Sequence, residues 1–174
     1  ADVYARNITL WTDKPAFELY VYGKTAEITM PVKGKFNIAN ALAAAAVACG
    51  LGFTPEEIKT GIESFIPPAM RMETFKTGSG VVLINDAYNA NPSSMAEAVQ
   101  GVCEAYPDGE INLVLGDMLE LGGNAAAYHR ETGGIINEMP RIHKIFLLGE
   151  LSENIKKAIN KKEVYSASGR DELL

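Results

Sequence analysis

Positive charge is the scarcer sign in this chain, with 16 Lys and Arg against 22 Asp and Glu and a formal net charge of −6 over 174 residues. That balance excludes a nucleic-acid-binding protein, which needs a basic face. It does not exclude a nucleotide site, where backbone N–H groups and a few side chains handle phosphates. Cysteine is rarer still. Cys49 and Cys103 both fall in predicted helices among apolar neighbours and read as buried thiols rather than a disulfide. The two histidines, His129 and His143, lie far apart, and no Cys/His cluster suggests a metal site. No apolar run approaches the roughly 20 residues of a membrane span, Ile38–Gly52 coming nearest, and no secretory signal opens the chain. A reducing, cytoplasmic setting is expected. Phosphate loops are missing too. Gly23-Lys24-Thr25 has Glu18 where a P-loop needs its first glycine, and it joins two strands, so it reads as a hairpin turn. Gly78 and Gly80 are followed by Leu83 at the third fingerprint position, with no helix after it.

What is present is a chain 47% hydrophobic, enough for a real core. Residues 7–32 alternate like two or three antiparallel strands: Ile8 and Leu10, then Phe17, Leu19 and Val21 after a turn at Asp13-Lys14-Pro15, then Ile28, Met30 and Val32. Ile38–Cys49 is an alanine-dense helix closed by Gly50 and Gly52. Thr54-Pro55-Glu56-Glu57 is a capping box opening a second helix whose apolar face is Ile58, Ile62 and Phe65. Pro67-Pro68 cannot continue it, which places a domain boundary between residues 1–66 and 67–174.

Beyond the prolines strand and helix alternate: strands at Arg71–Lys76 and Val81–Asn85, a helix at Pro92–Tyr106, a strand at Ile111–Leu115, and a helix at Ala125–Met139. Gly133-Gly134 weakens that last helix by about 1 kcal/mol per glycine. Lys144–Leu148 is a strand, Ser152–Asn160 a helix capped by Ser152, and Val164–Ser166 a short strand; a further helix begins near Asp171–Leu174. The fold class is α/β, a Rossmann-like, mostly parallel sheet preceded by a strand-and-helix segment. Both ends look unfinished, so the chain reads as a fragment.

The stretch Val82–Met95 organises this second part. Val82, Leu83 and Ile84 suit a strand buried on both faces of a parallel sheet, and Asn91-Pro92 opens a helix with Met95, Val99 and Val102 on one face. Asp86, Tyr88, Asn89 and Asn91 crowd the strand's carboxyl end, where open α/β sheets bind ligands. Leu115–Gly123 is a second polar strand end, carrying Asp117 and Met118, and is expected beside the Asp86 loop on the same sheet edge. Asn37 and Asn40 put two carboxamides on one side of a first helical turn. They suit an adenine edge, or equally an N-cap with an interhelical polar contact. Arg71 and Glu73 sit just past the boundary, where a hinge would present them to a ligand. A surface ion pair is the plainer alternative.

Three segments together, NDAYNANPSSM, LGDMLELGG and FNIANALAAAAVACGLG, closely resemble the Mur ligase family over roughly residues 1–160. Tyr88 and the GDM-x-ELG form resemble the branch that adds D-Ala-D-Ala. The resemblance implies that residues 1–66 end a central ATPase domain and that 67–174 form most of a Rossmann-like C-terminal domain. It implies an ATP-dependent ligase of peptidoglycan synthesis that joins D-Ala-D-Ala to UDP-N-acetylmuramoyl-tripeptide through an acyl phosphate. By the same likeness Asn37 and Asn40 lie beside adenine, and Arg71 and Asp86 meet the ribose. Tyr88, Asn89, Asn91, Asp117 and Met118 line the pocket for the dipeptide. ATP and Mg²⁺ are the implied cofactors, but the family's P-loop and Mg²⁺ ligands belong to segments upstream of Ala1, so this chain alone is expected to be inactive. Two residues depart from the family pattern: Phe36 replaces a histidine, and Met70 replaces a glycine, which alters the turn if that position needs positive φ. The competing readings are another amino-acid ligase of the same kind and a noncatalytic Rossmann-like binding module.

Overall fold

The structure, a computed structural model, describes residues 2–10 and 15–172, the side chain of Arg170 aside. The residues divide into two compact units, Ala1–Asp86 and Ala87–Leu174. Pro67-Pro68 thus lies within the first unit.

The first unit opens with three antiparallel strands in sequence order, β1 (Val3–Thr9), β2 (Ala16–Val21) and β3 (Lys24–Thr29). Asp13 and Lys14 of the expected first turn fall outside the described residues. Between β2 and β3, Val21 pairs with Lys24 across Tyr22-Gly23, whose φ values are 43° and 86°. A two-residue turn with both φ positive matches strand twist, and so Gly23-Lys24-Thr25 is a hairpin. Phe17, Leu19 and Val21 alternate inward with Ala26 and Ile28. Ile8, expected to join them, is 46% exposed, because the β1–β2 register shifts between Arg6 and Thr9, with Asn7 at φ 54°. Such a bulge turns the following side chains over.

Helix α1 (Lys35–Gly50) lays Ile38, Ala41 and Ala45 on this sheet, and α2 (Pro55–Glu63) adds Ile58. The expected capping box is present: the Thr54 N–H donates to Glu57 Oε2 at 2.8 Å, and the Glu57 N–H to Thr54 Oγ1 at 3.3 Å. Phe65 lies past the end of α2 and is exposed rather than part of its apolar face.

Strands β4 (Glu73–Lys76) and β5 (Val82–Asn85) form a separate antiparallel pair. This corrects the expectation that β5 is a doubly buried strand of the parallel sheet. The Thr77–Gly80 turn, closed by the Thr77 N–H on Val81 O and by Gly80 at φ 89°, folds β5 back on β4. Leu83 is 58% exposed as a result. The Asp86 and Asp117 loops therefore follow strands of different sheets rather than sharing one sheet edge.

The second unit contains α3 (Pro92–Ala105), β6 (Ile111–Gly116), α4 (Ala125–Glu138), β7 (Ile142–Leu148), α5 (Glu153–Lys156) and β8 (Glu163–Ala167). Strands β6, β7 and β8 are parallel and adjacent in that order, as an alternating α/β pattern requires. Val99 of α3, Ile136 of α4 and Ile155 of α5 pack on Ile111, Leu113, Leu115, Ile145 and Leu147. Helix α5 is much shorter than the expected Ser152–Asn160. After Lys156 the N–H groups of Ala158 and Ile159 reach back three residues, to Ile155 O and Lys156 O, the tighter turn that ends α-helices. Ser152 precedes the helix without capping it; its hydroxyl donates to Gly149 O at 2.8 Å.

The two glycines of α4 prove unlike. A Cβ on Gly133 would lie 2.5 Å from Ile155 O, whereas one on Gly134 meets nothing within 4 Å. Gly133 is the residue that lets α4 approach the α5 backbone. Ala at 133 is expected to cost about 1–3 kcal/mol from overpacking, more than it returns in helix propensity. Ala at 134 is expected to stabilise by about 0.5–1 kcal/mol. Denaturant unfolding of the two variants checks the opposite signs, and equal effects would contradict the packing role.

Candidate functional site

In the first unit a cleft of about 450 Å³ opens between residues 31–33, just before α1, and residues 67–74. Lys33, Pro67, Pro68, Arg71, Met72 and Glu73 are among its walls. Asn37, in the first turn of α1, donates from Nδ2 to Lys33 O at 2.7 Å and so pins one wall. That uses one N–H of a carboxamide that carries two donors and an acceptor. Asn40 is exposed in the next turn of α1. Gly34, at φ 106°, makes the turn that starts the helix, and a Cβ there would press on the Phe36 ring.

Arg71 lies between two left-handed residues, Met70 at φ 59° and Met72 at φ 51°. Met70, where the family pattern has glycine, does adopt positive φ, at a cost of order 1 kcal/mol for a residue with a Cβ. Two carboxylates hold this backbone. Glu73 Oε2 accepts the Met70 N–H at 3.1 Å, and Asp86 Oδ1 accepts the Met72 N–H at 3.0 Å. The left-handed turn also explains why β4 begins at Glu73 rather than at Arg71. Burial pushes the Asp86 carboxyl above its ordinary range, opposed by the Met72 N–H and the positive charge of Arg71. The structure thus joins Asp86 to the Arg71–Glu73 pair in one local assembly, with Asp86 committed in part to shaping the turn that carries Arg71.

In the second unit Asn91 is the N-cap foreseen from sequence. Its Oδ1 accepts the Ser94 N–H at 2.9 Å, while Ser94 Oγ accepts the Asn91 N–H at 3.2 Å. Tyr88 is 57% exposed and Asn89 is exposed, both just ahead of α3. At the carboxyl end of β6, Asp117 Oδ1 accepts the Ser152 N–H at 2.7 Å, and a Cβ on Gly149 would strike the Asp117 carboxylate at 2.5 Å. Met118 is fully buried, and its N–H donates to His129 Nε2 at 2.9 Å. Asp117 and Met118 are therefore built into the fold, while Leu119 and Glu120 stand out from it. His129 and Ser152 were not read as partners of this loop. Their only sequence signal was position: an isolated histidine on α4, and a serine at the end of the next strand. No group of three or more His, Cys, Asp or Glu gathers for a metal among the described residues.

The raised Asp86 pKa fixes a sign for stability. Above the ordinary value of 3.8, the folded state holds this proton more tightly than the unfolded chain. Asp86 therefore favours the fold fully below the unfolded pKa, and that contribution is lost as pH rises through the folded one. Asp86→Asn keeps an acceptor for Met72 but never carries the buried charge. Its Tm relative to wild type is expected to be highest near neutral pH and to fall as the pH drops to about 4. A difference that does not change with pH would overturn the assignment.

A profile of the family described as "Mur ligase, glutamate ligase domain" matches residues 70–174. The UDP-N-acetylmuramoyl-tripeptide–D-alanyl-D-alanine ligase of Bacillus subtilis is 38% identical over 149 residues, covering 83% of this chain and 32% of that protein. The crystal structure of MurF from Acinetobacter baumannii superposes with a TM-score of 0.85 at 30% identity, over 95% of this chain and 36% of that one. The MurF ligase of Thermotoga maritima, solved with ADP, shares the fold with a TM-score of 0.76 at 19% identity, over 99% of this chain and 38% of that one. The chain spans about a third of the length of these relatives. A profile match covering more than half of the residues, on a fold shared with these ligases, shows that the chain belongs to the Mur ligase family.

Proposed function

We propose that the protein is part of an ATP-dependent ligase that joins D-Ala-D-Ala to UDP-N-acetylmuramoyl-tripeptide in bacterial peptidoglycan synthesis. One observation carries this reading: the 149-residue likeness to the Bacillus subtilis ligase is too long for either unit alone, so it includes both the cleft and the polar strand ends. In domain terms, residues 1–66 close the central ATP-binding domain and 67–174 belong to the C-terminal domain. Helix α1 fits that assignment. Its face carrying Ala43, Ala44 and Val47 is exposed although apolar, as suits a helix with a second layer to meet.

The chemistry follows from the substrates. The terminal carboxylate of the tripeptide attacks the γ-phosphorus of ATP, releasing ADP and forming an acyl phosphate. The dipeptide amine then attacks that carbonyl, loses a proton and expels inorganic phosphate, leaving an amide. Catalysis of this kind is largely positioning and charge stabilisation. Mg²⁺, when bound with ATP, supplies the neutralising charge. The cleft fits a nucleotide in size, and Arg71 in its wall offers donors to ribose hydroxyls. Asp86, which holds the Met72 N–H of that wall, is the acceptor we assign to the ribose. The carboxamides of Asn37, which holds Lys33 O, and of Asn40 one turn on are those we assign to the adenine edge. Tyr88, Asn89, Asn91, Asp117 and Met118 form or support the dipeptide side. With UDP-linked substrate and ATP, the working compartment is the cytoplasm.

The test is phosphate release by the full-length ligase carrying this segment. Wild type is expected to need both ATP and D-Ala-D-Ala, and Asp86→Ala and Arg71→Ala to lower kcat/KM for ATP by about tenfold or more. The 174-residue chain by itself is expected to turn nothing over. A wild-type enzyme indifferent to D-Ala-D-Ala but active with another amino acid would transfer the assignment to a sister ligase. Full activity in Asp86→Ala would remove this residue from the nucleotide site.

A further inference from the structure

His129 is fully buried, and both its ring nitrogens are engaged. Nε2 receives the Met118 N–H at 2.9 Å and so carries no proton. Nδ1, 2.7 Å from Ala125 O one turn back in α4, must then be the N–H that donates. The two bonds define one neutral tautomer and one ring orientation. Gly133, four residues on along the same face of α4, is where that helix touches the α5 backbone. The close approach and the histidine therefore lie on one face.

The segment that His129 holds is strained and exposed. Two residues past Met118, Glu120 adopts φ 62°, a left-handed conformation that side chains with a Cβ resist, and Gly122 follows at φ 61°. Such a conformation persists only where its surroundings over-determine it. Here the anchors are the Met118 N–H on His129 and the Asp117 carboxylate on the Ser152 N–H. Between them and Gly122, Leu119 is 68% exposed and Glu120 is exposed. We infer that His129 is a positioning residue: by holding the Met118 N–H it sets the loop that turns Leu119 and Glu120 outward, toward the amine-bearing dipeptide. The choice of ligand rests on the function proposed above; the loop setting does not.

Two variants separate this from a merely structural role. Gln at 129 reaches as far as Nε2 and offers an oxygen to Met118, whereas Leu at 129 leaves that buried N–H without an acceptor. In the full-length ligase, His129→Leu is expected to raise KM for D-Ala-D-Ala about tenfold, with KM for ATP unchanged, and His129→Gln to recover most of the loss. In the 174-residue chain, hydrogen exchange at residues 117–122 is expected to quicken about tenfold in His129→Leu and not in His129→Gln. Nitrogen NMR of wild type is expected to show His129 protonated at Nδ1 and bare at Nε2. A proton on Nε2 overturns the inference, and so does equal behaviour of the Gln and Leu variants or loss of kcat with both KM values unmoved. If wild type ignores D-Ala-D-Ala, the proposed function falls, and exchange and NMR still decide the role of His129. Should the Leu variant fail to fold, His129→Asn, with its shorter amide, takes its place in each measurement.

Discussion

The second unit depends on one close approach, that of α4 to the backbone around Ile155. There is no room at Gly133 for even a methyl group, because Ile155 O occupies the place where it would sit. The same helical face carries Thr132 and His129, both fully buried, and Ile136, which joins the β6–β7 core. A buried histidine is tolerable only when its nitrogens are satisfied, and α4 satisfies one of them with its own Ala125 carbonyl. The other is satisfied by the loop. The packing of a helix, the tautomer of an imidazole and the course of a strand-end loop are thus a single arrangement.

A second theme runs through both units: side-chain acceptors take backbone N–H groups where the chain leaves regular structure. Glu73 and Asp86 do this for Met70 and Met72, Asp117 for Ser152, Glu57 for Thr54, and Asn91 for Ser94. Each satisfies a donor that no strand or helix claims. For Asp86 the cost is visible, since burial raises its pKa despite the N–H and the nearby Arg71. A residue in this position shapes the turn that carries Arg71, and under the proposed function it also offers a carboxylate to the ribose. The two roles do not conflict, because a carboxylate has about four lone-pair sites and Met72 uses one.

Much of this was legible in the chain. The Thr54 capping box, the Asn91 cap, the hairpin at Gly23 and the order of helices and strands all rest on local rules, in which a residue's neighbours in sequence are its neighbours in space. The readings that failed needed distant information. Val82-Leu83-Ile84 looks like a doubly buried strand because an apolar run does not say what covers it, and the Thr77–Gly80 turn folded it onto β4 instead. Ile8 was lost to a bulge, and Ser152 to a bond with the carbonyl of Gly149. His129 carries no such signal, because its partner, the Met118 N–H, is a backbone group that no side-chain pattern reveals.

By itself the sequence determined the α/β alternation, the capped helix starts at Thr54 and Asn91, the lack of a P-loop motif and the motifs that mark a Mur ligase. These are properties of residue type and short spacing. Only the tertiary structure decided which glycine of α4 is indispensable and that Met70 takes the left-handed conformation. It alone showed that Asp86 ties down Met72 and that Asp117 and Met118 face inward while Leu119 and Glu120 face out. The physical reason is the same in each case. A Cβ clash, a strained φ or a buried donor is defined by atoms brought close from elsewhere in the chain, and residue type and short spacing do not record that proximity.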